Sequence, residues 1–328
     1  MNAQSWSRRQ VLNGALATGA LAAAPLEVSL GQRTGNMTQG ELLIRNAYVL
    51  TMDAAVGDIA NGDVHIRAGT IAAVGRGLQA PGAEVIDAAG MLVLPGLIET
   101  HWHVWTTLLR SLAGDAAEHG YFPTSRTVGT FYTAEDMYVA GRLAAAEAVS
   151  SGITFVHDWC HNVRGPAYAE AALRALVESG IRSRFSYGSP TGASGDATID
   201  LDDLTRLRER WSDHSNGGLR TLGLAWRGAG SGATLRDYEV AKSLGLPISV
   251  HANNFQTSAG GIQQLADRRL LGPGMQVIHA VWCTPAEIRA LADNGVAVSV
   301  SPYSEMRIGF GFPIVAELLA AGVTVGLS

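Results

Sequence analysis

From residue 91 to residue 328 the chain alternates between short apolar runs and amphipathic stretches, and this alternation constrains the fold more than any other feature. The strand-like runs are "MLVLPGLIET", "GITFVHDW", "IRSRFSYG", "LRTLGLAWRG", "LPISVHANN", "MQVIHAVW", "VAVSVSP" and "VTVGLS". Between them lie helical patterns such as "AEDMYVAGRLAAAEAVSSG", "YAEAALRALVESG" and "TPAEIRALADNG", each opened by an acidic or capping residue or closed by glycine. Near-continuous apolar strands separated by helices demand a parallel sheet covered on both faces. Eight such strands in about 230 residues predict an α/β chain folded as a (β/α)8 TIM-type barrel. A doubly wound open sheet is the second arrangement, disfavoured because no GxGxxG follows a first strand.

The residues before the alternation divide in two. Residues 36–95 read as a small β-unit without helical pattern, in which "ELLIRNAYVLT", "GDVHIRAGTIAAVG" and "AEVIDAAGMLVLPG" are strands punctuated by turns of the Asn61-Gly62 kind. Residues 1–35 have the layout of an export signal: a short polar start, paired Arg8 and Arg9, then an alanine-rich run from Val11 to Pro25. Ser7-Arg8-Arg9-Gln10-Val11-Leu12 resembles a twin-arginine motif, which predicts a periplasmic or secreted protein. The third segment, 96–328, is the expected barrel.

Composition excludes several partner classes. The net charge is −5 and the arginines are scattered without a basic run, so no nucleic-acid partner is expected. No later apolar stretch is long enough to span a membrane. Cys160 and Cys283 cannot form a disulfide framework, and Cys283 reads as a small apolar filler. What remains is a small-molecule substrate, with self-association into a homo-oligomer left open.

In a barrel, chemistry sits at the C-terminal ends of the strands. Five of the nine histidines, His101, His103, His157, His251 and His279, fall at such ends. His101 and His103 lie at i and i+2, so an extended backbone sends both imidazoles to one face with their Cα atoms about 6.5–7 Å apart. With His251 on another strand end they predict a metal site. His279 suits a second ligand role, a substrate-polarising imidazole or a satisfied interior residue. Arg227 faces substrate or pairs with a nearby carboxylate, and Asp158 is a candidate partner to orient a ligand histidine.

"VLPGLIETHWHVWTTLLR" resembles the strand-one motif of the amidohydrolase superfamily, in its cytosine deaminase and triazine hydrolase branch. "ISVHANN" is similar to that branch's strand five, "VIHAVWCTPAEIRALADNGVAVSVSP" to strands six and seven, and the β-unit to its N-terminal β-sandwich segment. The resemblance covers residues 41–328. It implies one divalent ion, zinc first and iron or manganese next, held by His101, His103 and His251, with His279 as the catalytic histidine. Trp105, His157, Arg227 and Asn254 are the groups expected to face the substrate. The implied reaction is attack of metal-activated water on a carbon–nitrogen bond other than a peptide bond, in an amide or cyclic amide. Release of ammonia from a heteroaromatic ring is the alternative, and an inactive binding protein the third reading.

Two departures shape these expectations. The deaminases of the branch carry a glutamate three residues after the strand-five histidine, where this chain has Asn254, which cannot transfer a proton near neutral pH. Trp226-Arg227 stands where the branch has Pro-His. The family's strand-eight aspartate is expected next after Ser328, so the chain reads as a C-terminally incomplete fragment, with a naturally short member as the alternative. Such a fragment is expected to bind metal weakly and to lack hydrolase activity.

Overall fold

The computed structural model describes residues 40–114 and 116–328, and the twin-arginine-like segment lies outside them. The chain divides into two compact units at Pro95/Gly96. No helix among the described residues is long and apolar enough to cross a membrane.

In the first unit, β1 (Leu42–Val49) is flanked by antiparallel β2 (Ile59–Arg67), which pairs in turn with β3 (Thr70–Gly75). Two parallel segments, β4 (Glu84–Asp87) and β5 (Leu92–Val93), complete the sheet against β1. Its small core is Ala47, Val49, Val64 and Ala88. Asn61-Gly62 is not a turn, contrary to expectation. It lies inside β2, where Asn61 has φ 52° and the register with β1 shifts, so the pair forms a bulge. The reversal into β3 is made by Ala68 and Gly69, both at positive φ as a two-residue hairpin turn requires.

The second unit is the expected barrel. Eight parallel strands run β6 (Leu97–Trp102), β7 (Ile153–Cys160), β8 (Arg182–Gly188), β9 (Arg220–Trp226), β10 (Ile248–Ala252), β11 (Met275–His279), β12 (Ala297–Val300) and β13 (Val325–Leu327), each paired with the next. The run "MLVLPGLIET" is divided by Pro95-Gly96, so Leu92–Val93 joins the first sheet and Leu97–Trp102 alone enters the barrel. β13 and β6 meet through Thr100, whose hydroxyl donates to the Leu327 carbonyl at 2.8 Å and contacts the Ser299 hydroxyl at 2.7 Å. A Cβ on Gly326 would lie 2.5 Å from the Thr100 side chain, so this approach requires glycine.

The helices form where capping chemistry starts them. Thr133 and Asp136 make a reciprocal capping box on Ala134–Ser150, and Thr284 and Glu287 make one on Pro285–Asp293. Their apolar faces, with that of Pro166–Ser179, bury Met137, Leu173, Leu176, Ile288 and Leu291 against the outside of the strands. That covering leaves the strand ends free to carry polar groups.

Candidate metal centre

Strands β6, β10 and β11 deliver His101, His251 and His279 to one point. One ring nitrogen from each lies within 4.8 Å of the others, a grouping able to hold an ion. The His101 and His251 Nε2 atoms face each other at 3.1 Å. His101 Nδ1 is buried without a partner. Burial first, and the neighbouring imidazoles second, hold His101 and His251 well below the ordinary histidine range. At neutral pH these rings therefore carry lone pairs, the form that binds a metal.

His103 adjoins this group without entering it. Its ring stands edge-on to His101 at 4.5 Å and stacks over His251 at 5.3 Å. Nδ1 donates to the Trp159 carbonyl at 3.0 Å, which leaves Nε2 uncommitted. His279 thus joins His101 and His251 in a ligand-capable trio, while the expected ligand His103 stands as near to them by ring centroid as His279 does. His279 is reached through strained backbone: it has φ 76° and Ala280 φ 53° at the end of β11. Non-glycine residues in this region cost on the order of 1–3 kcal/mol and persist where the surroundings impose them.

The rim of this cluster opens into a cavity of about 410 Å³ lined by Glu99, Tyr121, Phe122, Asn254, Ser304 and Phe310 among others. Asn254 also borders a second cavity of about 310 Å³ beside Gly228–Gly230, so the amide stands between two lobes. Glu99 accepts the backbone N–H of His101 at 2.9 Å, and burial raises its carboxyl above the usual range.

Four sequence expectations are corrected. His157 does not face substrate: it is 2% exposed within the barrel, Nδ1 donating to the Thr100 carbonyl at 3.0 Å and Nε2 bonded to Ser186 Oγ at 2.8 Å. Trp105 is 1% exposed, packs on Tyr132, and donates its indole N–H to His161 Nδ1 at 3.3 Å. Arg227 takes the second of its two expected roles and not the substrate-facing one: it pairs with Asp237 and donates to the carbonyls of Ser194 and Ala197, which pins a loop. Asp158 accepts the Val104 backbone N–H and touches no imidazole nitrogen; burial pushes its carboxyl up to about 8.

Other residues escaped the sequence reading. His161 lies one residue beyond β7 with its ring 4.1 Å from that of His103, and burial lowers it to about 4. Trp159 stands edge-on to His251 at 4.4 Å. Glu305 accepts from His279 Nδ1 at 3.0 Å. Only His161 had a usable signal, two residues after Trp159 on the strand period. Cys283 contacts Asn253, and burial pushes its thiol up to about 12, which favours the thiol over a thiolate near neutral pH.

Eight parallel strands with converging imidazoles at their C-terminal rim define a metal-dependent barrel hydrolase. The chain belongs to the amidohydrolase family, whose model matches residues 92–328. It is a hydrolase of carbon–nitrogen bonds other than peptide bonds. The 5'-deoxyadenosine deaminase of Methanosarcina mazei is 30% identical over 310 residues, covering 88% of this chain and 68% of the relative. A 5-methylthioadenosine/S-adenosylhomocysteine deaminase of Nitratidesulfovibrio vulgaris is also 30% identical, over 88% and 67% of the two chains. Among solved structures, an atrazine chlorohydrolase variant from Arthrobacter aurescens, complexed with zinc and atraton, has the same fold. Its TM-score is 0.73 at 22% identity, over 88% of this chain and 71% of that one. A zinc-bound adenosine deaminase from Xanthomonas campestris likewise gives a TM-score of 0.73 at 21% identity, over 88% and 68%.

Proposed function

We propose that the protein is a zinc-dependent hydrolase that breaks a carbon–nitrogen bond on a flat, unsaturated ring. The observation that carries this reading is the aromatic wall beside the imidazoles. The Phe310 ring lies 4.9 Å from His279, Phe255 lies 4.6 Å from Phe310, and Phe122 lies 6.0 and 6.2 Å from those two. Three rings from three connecting segments offer faces and edges to a planar substrate, each contact adding about 0.5–1.5 kcal/mol beyond buried area. That the relatives are deaminases supports an exocyclic amine as the group removed. The zinc bound in the neighbouring structures and the all-imidazole donor set support zinc.

His101, His251 and His279 would hold the ion, with His103 adjoining them. A divalent ion there supplies the acidity that makes a water molecule nucleophilic near neutral pH. The phenylalanines exclude bulk water and fix the plane of the ring. Asn254 can hydrogen-bond a ring heteroatom but cannot move a proton, and this favours a second reading, opening of a ring amide. Both are tested by incubating the full-length protein with an adenine nucleoside, an aminotriazine and a cyclic ureide, with ammonia and ring-opened acid measured separately. Ammonia release that a chelator abolishes and zinc restores is expected. Ring-opened acid without ammonia would establish the second reading, and neither product from any ring would refute both. The order of Arg8-Arg9, apolar run and small residues supports export to the periplasm, a proposal that cell fractionation of an Arg8→Lys/Arg9→Lys variant tests.

A further inference from the structure

We propose that Glu305 is the positioning residue of the site: it fixes the tautomer and direction of His279 and so sets the affinity for the ion. The inference rests on the metal reading above. Glu305 sits on Pro302–Ile308, the short helix after β12, with its side chain 0% exposed. Its Oε1 accepts the Ser301 backbone N–H at 2.8 Å and His279 Nδ1 at 3.0 Å. Its Oε2 is buried with no partner. A carboxyl group wholly removed from water is retained only where its contacts compensate. Here the one side-chain contact is an imidazole of the trio.

An acceptor on Nδ1 commits that nitrogen to carrying the proton, which leaves the lone pair on Nε2. The backbone is arranged to present the ring this way. His279 and Ala280 both occupy the left-handed region, and Ala280 N–H is tied to the Ala252 carbonyl beside His251. The same helix fixes the aromatic wall, because the Phe310 N–H donates to the Glu305 backbone carbonyl at 2.8 Å. Trp282 Nε1 donates to the Phe310 carbonyl at 2.6 Å. One short helix thus aligns both a prospective ligand and the substrate wall. Among the described residues no carboxyl group belongs to the trio itself, and Glu305 is the one that meets His279 through a direct hydrogen bond.

The test begins with the metal-free protein labelled with ¹⁵N-histidine. The His279 ring should carry its proton on Nδ1; a proton on Nε2 would overturn the proposal without any substitution. Zinc titration of two variants follows. Glu305→Ala should weaken zinc binding by about 10–100-fold and lose the Nδ1–H signature. Glu305→Gln, which keeps an accepting oxygen, should keep the tautomer and bind within about tenfold of the parent. Parent-like affinity together with an unchanged tautomer in Glu305→Ala would overturn the assignment. Should Glu305→Ala fail to fold, the parent tautomer and Glu305→Gln still decide. Failure of the parent protein to bind zinc at all would instead count against the metal reading, while the tautomer would still test Glu305.

Discussion

The barrel holds two groups of buried histidines, and they differ in what their nitrogens do. In the interior, His157 has both nitrogens committed, one to the Thr100 carbonyl and one to Ser186 Oγ. At the rim, His101 leaves Nδ1 without a partner while its Nε2 faces His251 Nε2 at 3.1 Å. Both places are buried, and in both burial lowers the imidazole pKa, to about 3 for His157. Burial therefore does not mark a metal site. A buried nitrogen without a partner, beside imidazoles bonded only to each other, does, because leaving His101 Nδ1 so costs free energy that a ligand can offset.

The largest effect should separate these groups outright. His251→Ala is expected to abolish both stoichiometric metal and turnover, as read by elemental analysis and by the ring-substrate assay; metal held at the parent level would break the comparison. His157→Ala should do the opposite, with metal content unchanged and stability reduced. Ser186 and Thr100 lose their partner and a cavity opens, so about 2–4 kcal/mol should disappear from a urea unfolding curve of the metal-free protein. Metal lost along with the interior histidine would show that the layers are one unit.

Acid gives the smaller, graded test. His157 and His161 are lowered to about 3 and about 4 in the folded protein, against about 6.5 for the unfolded chain. Below pH 6.5 the unfolded state therefore binds protons that the folded state refuses. These two groups leave stability intact above about pH 6.5, and it falls as pH drops toward 3–4. The slope is about 1.4 kcal/mol per pH unit for each histidine. Urea midpoints at pH 7 and pH 5 should differ accordingly, and His157→Gln should flatten the slope by about one histidine's share. A flat parent profile would contradict the assigned burial.

Much of the fold was legible because parallel strands covered on both faces are written as apolar runs, and all eight were found. Periodicity failed where one residue changes the meaning of a run. Pro95-Gly96 divides "MLVLPGLIET", and Asn61-Gly62 bends a strand without ending it. The site was legible where a histidine closes a strand, as with His251 and His279. It was misread on β7, which runs to Cys160 and not to Trp159 with His157 near its end. His157 thus belongs to an interior layer, Trp159 stands above it, and His161 reaches the rim. Trp105 and Arg227 were misassigned for a related reason: pattern gives the face of a residue but not the partner it finds. Glu305 carried no signal, since a carboxylate in a short helix after a strand looks solvated until its helix is placed against His279.

The central claim is that the rim imidazoles share one ion. Anomalous diffraction at the zinc edge, on crystals of the protein grown with one equivalent of zinc, tests it most directly. One peak should appear about 2.0–2.1 Å from ring nitrogens of His101, His251 and His279. A peak at any other histidine with none at these three, or no peak in zinc-loaded crystals, would contradict the account.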